Sequence, residues 1–290
     1  MKNIIGHKDI FNYLKDLYKK NILPNKILLS GKKGIGKSLL ANNLLNFIYS
    51  ESTSKVQENL INNNCHPNIF KIFKNIDKKN VEVSQIRDMI KFQNHSSFDN
   101  KLKSIIIDDL EYLNINSTNA LLKSIEEPNN NVLFILINNS EKKLTPTLKS
   151  RCVEFKLSLN YKEVESIINN YFQQEIYQHI PLDFKNFYTS PSFLINLIEF
   201  FIDSSIDYNN YTIEEFFLYL INNKSYSKNK FINENLNNFI ELFFYKNINR
   251  SKKVSFKVKE YFYLKFSQLK KYNLDVETFF LEFEDKLLSE

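Results

Sequence analysis

Two hydrophobic periods divide the chain. Up to about residue 158, short runs of consecutive apolar residues alternate with stretches whose apolar positions recur every three or four residues. The runs are "KILLS", "NIFKIF", "KSIIID", "VLFILINN" and "CVEFKL". Runs that are apolar throughout and this short predict strands buried on both faces, as in a parallel sheet. Between them, "SLLANNLLNFIYS", "EVSQIRDMIKFQN" and "INSTNALLKSIEEP" carry helical spacing. Ser84 is the expected N-cap of the second, and Pro128 closes the third. An amphipathic helix in "DIFNYLKDLYKKN" precedes them all. The alternation predicts an α/β domain, a parallel sheet with flanking helices, over residues 1–158.

Beyond that point the short apolar runs disappear. "NYKEVESIINNYFQQEI" and "PSFLINLIEFFID" predict a small all-α domain over 159–208. "TIEEFFLYLINN", "FINENLNNFIELFFYK", "VKEYFYLKFSQLKK" and "DVETFFLEFEDKLL" predict a second all-α domain over 209–290. No internal repeat and no Pro- or Gly-rich linker marks the boundaries, which rest on the change of period. Residues 51–64 are polar and predict a loop or a fraying helix.

Composition changes this picture little. The 290 residues are 43% hydrophobic and 14% aromatic, ample for packed cores. A net charge of +6 is compatible with nucleic acid without requiring it. Its lysines are spread in short clusters such as "NIDKKN" and "RSKKVSFKVK", each of which is by default a solvated face. No apolar run is long enough for a membrane span, and no secretory signal opens the chain. Cys65 and Cys152 suit a reducing compartment, so a soluble cytoplasmic protein is expected. Of 39 basic residues only Arg87, Arg151 and Arg250 are arginine. In so lysine-rich a chain, each marks a position where a planar, bidentate guanidinium is needed.

Glycine is the strongest signal. The chain holds four, and three of them fall at Gly31, Gly34 and Gly36. Gly31-Lys32-Lys33-Gly34-Ile35-Gly36-Lys37-Ser38 fits G-x-x-x-x-G-K-[ST], a phosphate-binding loop between a buried strand and a helix. Glycine lets successive N–H groups turn inward around phosphate oxygens, and the following helix N-terminus adds its positive end. Lys37 is expected to reach the outer phosphates and the Ser38 hydroxyl to ligate Mg²⁺. The alternative is a plain strand-to-helix turn. "SIIIDD" supplies the acid that such a site requires: Asp108 ends a buried strand and can hold the Mg²⁺ shell. Where efficient ATPases carry a water-orienting Glu next, this chain has Asp109, one methylene shorter. Glu111 lies two residues further on. Asn138 or Asn139, after "VLFILI", can touch phosphate.

"TPTLKSRCVEF", with Ser150-Arg151-Cys152, resembles the SRC motif of DNA polymerase clamp loaders. "IIGH…LPNKILLSGKKGIGKS", "VEVSQIRDMI", Asn119-Ala120-Leu121-Leu122-Lys123 and Glu126-Glu127-Pro128 extend the resemblance across residues 1–157. Within the family it is nearest to delta-prime-type subunits of the DNA polymerase III clamp loader. The resemblance implies an AAA+ module, a helical lid and a helical collar that oligomerises. It implies gamma/tau and delta partner subunits, a sliding clamp, and primed DNA reached through the complex. It also implies that Arg151 is an arginine finger acting in trans on a neighbour's ATP, and that this chain's own loop takes ATP with Mg²⁺.

Departures from the family pattern set further expectations. Relatives with a zinc module carry four cysteines before the "HP" turn; residues 51–64 have none, so no zinc is expected, and Cys65 with His66 belongs to packing and a turn. Phe193 in "TSPSFLINL" stands where the lid's sensor Arg is expected. Efficient turnover is therefore doubtful, a gamma/tau-like motor is the first alternative, and an unrelated P-loop NTPase the second. The aromatic residues after residue 210, including Phe216, Phe217, Phe243 and Phe244, suggest a surface buried against partners, with bundle core as the alternative.

Overall fold

A computed structural model of the chain describes residues 5–49, 60–61, 63–75, 78, 80–95, 102–126, 131–185, 190–207, 209, 211–248, 254–272 and 274–288. Glu127, Pro128, Arg250 and most of 51–64 lie outside these residues. The chain divides into two compact units, Met1–Ile167 and Ile168–Glu290.

Among its described residues the first unit is built on five parallel strands: β1 (Lys26–Ser30), β2 (Ile69–Ile72), β3 (Lys103–Ile107), β4 (Val132–Asn138) and β5 (Val153–Lys156). Their order is β2-β3-β4-β1-β5. The register runs Lys26↔Phe134 to Ser30↔Asn138 on one side of β1 and Ile27↔Val153 to Ser30↔Lys156 on the other. All seven residues of β4 and all five of β3 are buried. Central parallel strands covered on both faces select apolar residues at every position, which explains the unbroken runs. Helices α1 (Lys8–Lys19), α2 (Lys37–Tyr49), α3 (Val83–Asn94), α4 (Ile115–Glu126) and α5 (Pro146–Lys149) supply the layers, and α6 (Tyr161–Phe172) runs from the first unit into the second. Ile86 and Met89 of α3 and Leu121 and Ile125 of α4 join Ile105, Ile107, Phe134 and Leu136 in one buried cluster.

One cap differs from expectation. The N-cap of α3 is Glu82, not Ser84. The Gln85 side chain accepts from the Glu82 N–H at 3.1 Å, and the Ser84 hydroxyl turns to Glu82. A glutamine three residues after the cap returns to it, so the cap sits two residues earlier than the serine suggests.

The second unit is helical among its described residues, with α7 (Leu182–Lys185), α8 (Pro191–Asp203), α9 (Ile213–Asn222), α10 (Ser225–Lys228), α11 (Lys230–Asn247), α12 (Phe256–Tyr272) and α13 (Val276–Phe283). The Ser190 hydroxyl caps α8, and Thr212 with Glu215 forms a capping box on α9. Phe184 and Phe201, from the segment read as lid, meet Phe216 edge-on at 5.3 and 5.8 Å.

Here the aromatic residues are corrected. Phe216, Phe217, Phe243 and Phe244 are each 0% exposed within the chain itself, so they are bundle core and not a partner surface. Phe217 stacks on Phe283 at 4.9 Å and meets Phe243 at 5.4 Å. Phe217→Ala is expected to destabilise this unit by about 3–5 kcal/mol, the cost of a large aromatic cavity. Urea unfolding followed by circular dichroism measures it, and a loss below about 1 kcal/mol would mean the neighbouring rings refill the space. No helix among the described residues is long and apolar enough to cross a membrane.

Candidate functional site

The glycine loop leaves the C-terminal end of β1 and enters α2. The Gly31 N–H donates to the Asn138 carbonyl at 3.2 Å, tying the start of the loop to the end of β4. A Cβ on Gly31 would lie 2.4 Å from the Leu157 carbonyl oxygen and 2.8 Å from Ile35 Cδ1, so crowding dictates glycine there. Gly36 is required for a different reason: it has open space around it but a φ of +96°. Gly31→Ala is therefore expected to cost about 1–3 kcal/mol, as overpacking does. An unchanged urea midpoint would show that the Leu157 backbone yields freely.

Lys37 is buried, and its ammonium donates to the carbonyls of Gly31 at 2.8 Å and Lys32 at 2.6 Å. Burial pulls its pKa down to about 8, against the opposing pull of Asp108 and Glu111. The Ser38 hydroxyl donates to Asp108 Oδ2. A hydroxyl and a carboxylate held together, beside a buried ammonium, are groups that Mg²⁺ and phosphate oxygens require. The residues present thus fit a Mg²⁺–nucleotide. No group of three or more His, Cys, Asp or Glu side chains among the described residues could hold a metal ion.

Around Asp108 the acids are bound together by one amide. Asn139 Nδ2 donates to Asp108 Oδ1 at 3.2 Å and to Asp109 Oδ1 at 3.1 Å. Asn138, at the last residue of β4, instead uses its side chain to accept from the Ser140 N–H at 3.0 Å. Asp109 has a φ of +54°, and its carboxyl is pushed up by burial and by the neighbouring Asp108. Glu111 is buried; both of its oxygens accept from the Asn139 N–H at 3.1 Å, and burial raises its pKa too. Glu111 thus anchors the end of β4.

Two elements near the loop gave no sequence signal. Lys33 pairs with Glu141 at 3.2 Å, and Glu141 also accepts from the Tyr112 hydroxyl. Burial alone would raise the Glu141 carboxyl, but Tyr112 and Lys33 outweigh it and hold the pKa low. His7 is buried in a left-handed backbone conformation, and its Nε2 lies 3.0 Å from the Ile35 carbonyl inside the loop. Facing a carbonyl, that nitrogen must carry the proton. Burial lowers the imidazole pKa, leaving the ring neutral.

Arg151 lies at the other end of the sheet. It precedes β5 by two residues, and β5 runs parallel to β1 with Val153 opposite Ile27. The glycine loop begins only after Ser30, opposite Lys156, about 10 Å of strand further on. At its own end the guanidinium is held by Glu126 Oε1, 2.5 Å from Nε, and by the Thr147 carbonyl, 2.8 Å from Nη1. The chain does not bring Arg151 to its own loop. Cys65 is exposed, while His66 is buried against Tyr49 with ring centroids 4.6 Å apart. Phe193 packs on Phe231 and Phe239, each at 5.4 Å.

A family model described as DNA polymerase III, delta subunit, matches residues 6–160. The chain belongs to this family. The matched residues include the glycine loop, the acids and the SRC motif. The DNA polymerase III subunit delta' of Pseudomonas aeruginosa is 31% identical over 134 residues, covering 44% of this chain and 41% of that protein. The tau subunit of Escherichia coli is 26% identical over 184 residues, covering 62% and 29%. The chain thus spans less than half the length of these relatives. A DNA polymerase III gamma subunit-related protein of Thermotoga maritima shares the fold, with a TM-score of 0.55 at 14% identity over 94% of this chain and 96% of that one.

Proposed function

We propose that this chain is a delta-prime-type subunit of the DNA polymerase III clamp loader. In that role it assembles with gamma/tau and delta subunits and takes part in ATP-dependent loading of the sliding clamp onto primed DNA. It lends Arg151 to the nucleotide of a neighbouring motor subunit. The observation that carries this reading is the separation of Arg151, in its SRC context, from the chain's own loop at the opposite end of the sheet. A guanidinium there serves a phosphate only if that phosphate belongs to another subunit.

The loop from Gly31 to Ser38 holds ATP in this reading, with Lys37 on the outer phosphates and Ser38 and Asp108 on Mg²⁺. The chain's own turnover is weak, for two reasons. Asp109 is a methylene shorter than a water-orienting Glu, and an ångström of misplacement can cost roughly a hundredfold in rate. Phe193, at the expected position of a lid arginine, is an apolar side chain packed against other rings.

A gamma/tau-like motor is the second reading. Similarity to subunits named gamma and tau and the complete loop favour it. The purified chain with ATP and primed DNA separates the two: a delta-prime-type subunit shows no stimulated turnover, whereas a motor does. Size-exclusion chromatography with the gamma/tau and delta subunits tests the family role itself. Elution of this chain apart from both would refute assembly.

A further inference from the structure

Arg151 is held through two of its three nitrogens. Its Nε meets Glu126 at 2.5 Å and its Nη1 meets the Thr147 carbonyl at 2.8 Å, while Nη2 takes no partner among the described residues. Those two bonds hold the planar group at Nε and at Nη1, on its two flanks, and leave Nη2 without a bond. The side chain is 37% exposed. Glu126 is the last residue of α4, and β4 and β5, both parallel to β1, start at the same end of the sheet. A long arginine side chain left alone samples many rotamers, and ordering it costs conformational entropy each time a ligand is met. A carboxylate on Nε and a carbonyl on Nη1 narrow that freedom beforehand.

We propose that Glu126 is a positioning residue for Arg151. It holds Nε so that the Nη2 amino group is presented, already oriented, to a phosphate carried by an adjacent subunit. The inference rests on the reading of Arg151 as a finger in trans and adds a residue to it. An exposed ion pair contributes little to stability, so removing Glu126 leaves folding and assembly as they are. What it removes is orientation.

Two measurements test this. The chain has three arginines, so the ¹⁵Nε–¹Hε spectrum of arginine-labelled protein contains at most three such signals. Arg151→Ala identifies the signal of Arg151. In the wild-type chain that proton exchanges slowly and resonates away from a free arginine; in Glu126→Ala it collapses to the free position. The second measurement is ATP turnover by the reconstituted complex with clamp and primed DNA, for Glu126→Ala, Glu126→Gln, Arg151→Ala and the double variant. Glu126→Ala is expected to lower kcat at the site facing this subunit by about tenfold, within the range that misorientation costs. KM for ATP and the melting temperature stay unchanged, and Glu126→Gln, which keeps an acceptor on Nε, falls less. The double variant is no slower than Arg151→Ala alone, because the carboxylate acts only through the guanidinium.

If Arg151→Ala slows the complex and Glu126→Ala does not, the positioning role is wrong and the finger stands. If neither slows it, the finger reading itself fails and takes this inference with it. An Arg151 signal already at the free position in wild-type protein would also overturn the proposal.

Discussion

Arg151→Lys is expected to leave assembly and nucleotide binding by this chain intact and to depress ATP turnover and clamp loading by the whole complex. Lysine keeps the charge and loses the fork. In the structure the fork makes a bond to Glu126 through Nε, another to Thr147 through Nη1, and leaves Nη2 for a third partner. One ammonium on a flexible stem cannot hold all three directions. A finger in trans supplies about 10³ to 10⁵ in rate at the site it serves. The complex as a whole loses only that site's share, since other sites face other subunits. Steady-state ATPase with clamp and primed DNA, wild type against Arg151→Lys, measures the fall. Equal rates with normal assembly would reduce Arg151 to the partner of a surface ion pair, worth about 0–1 kcal/mol.

The second large effect concerns Lys37. Lys37→Ala is expected to weaken nucleotide binding by the isolated chain by about a hundredfold, near the upper range for a hydrogen bond to a charged group. Fluorescent-nucleotide titration reads it. A second signature comes from burial of the ammonium, which lowers its pKa to about 8. Because nucleotide is held by the charged form, affinity in the wild type falls as pH rises through about 8. Stability runs the opposite way. The unfolded lysine keeps its proton to about 10.5, so between about 8 and that value the unfolded state binds more protons, and stability without nucleotide rises with pH. Lys37→Ala loses both dependences. Unchanged affinity in the variant would mean that the loop does not bind nucleotide through this side chain.

What was legible in the sequence follows from how local each signal is. The loop was readable because a chain with four glycines keeps three of them within six residues. The sheet was readable because buried parallel strands leave apolar residues at every position. That same uniformity hid which of Asn138 and Asn139 turns toward the acids, since with no alternation the exit of β4 shows no face. The structure puts Asn139 on Asp108 and Asp109 and gives Asn138 to the Ser140 N–H. Glu126 and Arg151 are 25 positions apart and meet only because α4 and β5 converge at one end of the sheet. No periodicity announces such a pair. The phenylalanines of the second unit were ambiguous for another reason. A helix carrying rings on much of its circumference looks the same whether its neighbours come from its own chain or from another.

The opposed ends of the sheet give the first unit a polarity. Under the proposed function, a phosphate loop at one end and an arginine at the other work like plug and socket, and two identical plugs cannot mate. A two-fold dimer matches a surface with its own copy, so each arginine would face what its partner also offers there. If Arg151 serves a neighbour's nucleotide, as proposed, productive contact runs head to tail, each subunit facing the next in the same rotational sense. Such contacts close into a ring or continue as a helix. In a mixed ring, a member with weak turnover of its own makes a fixed point from which the firing order of its neighbours can be counted.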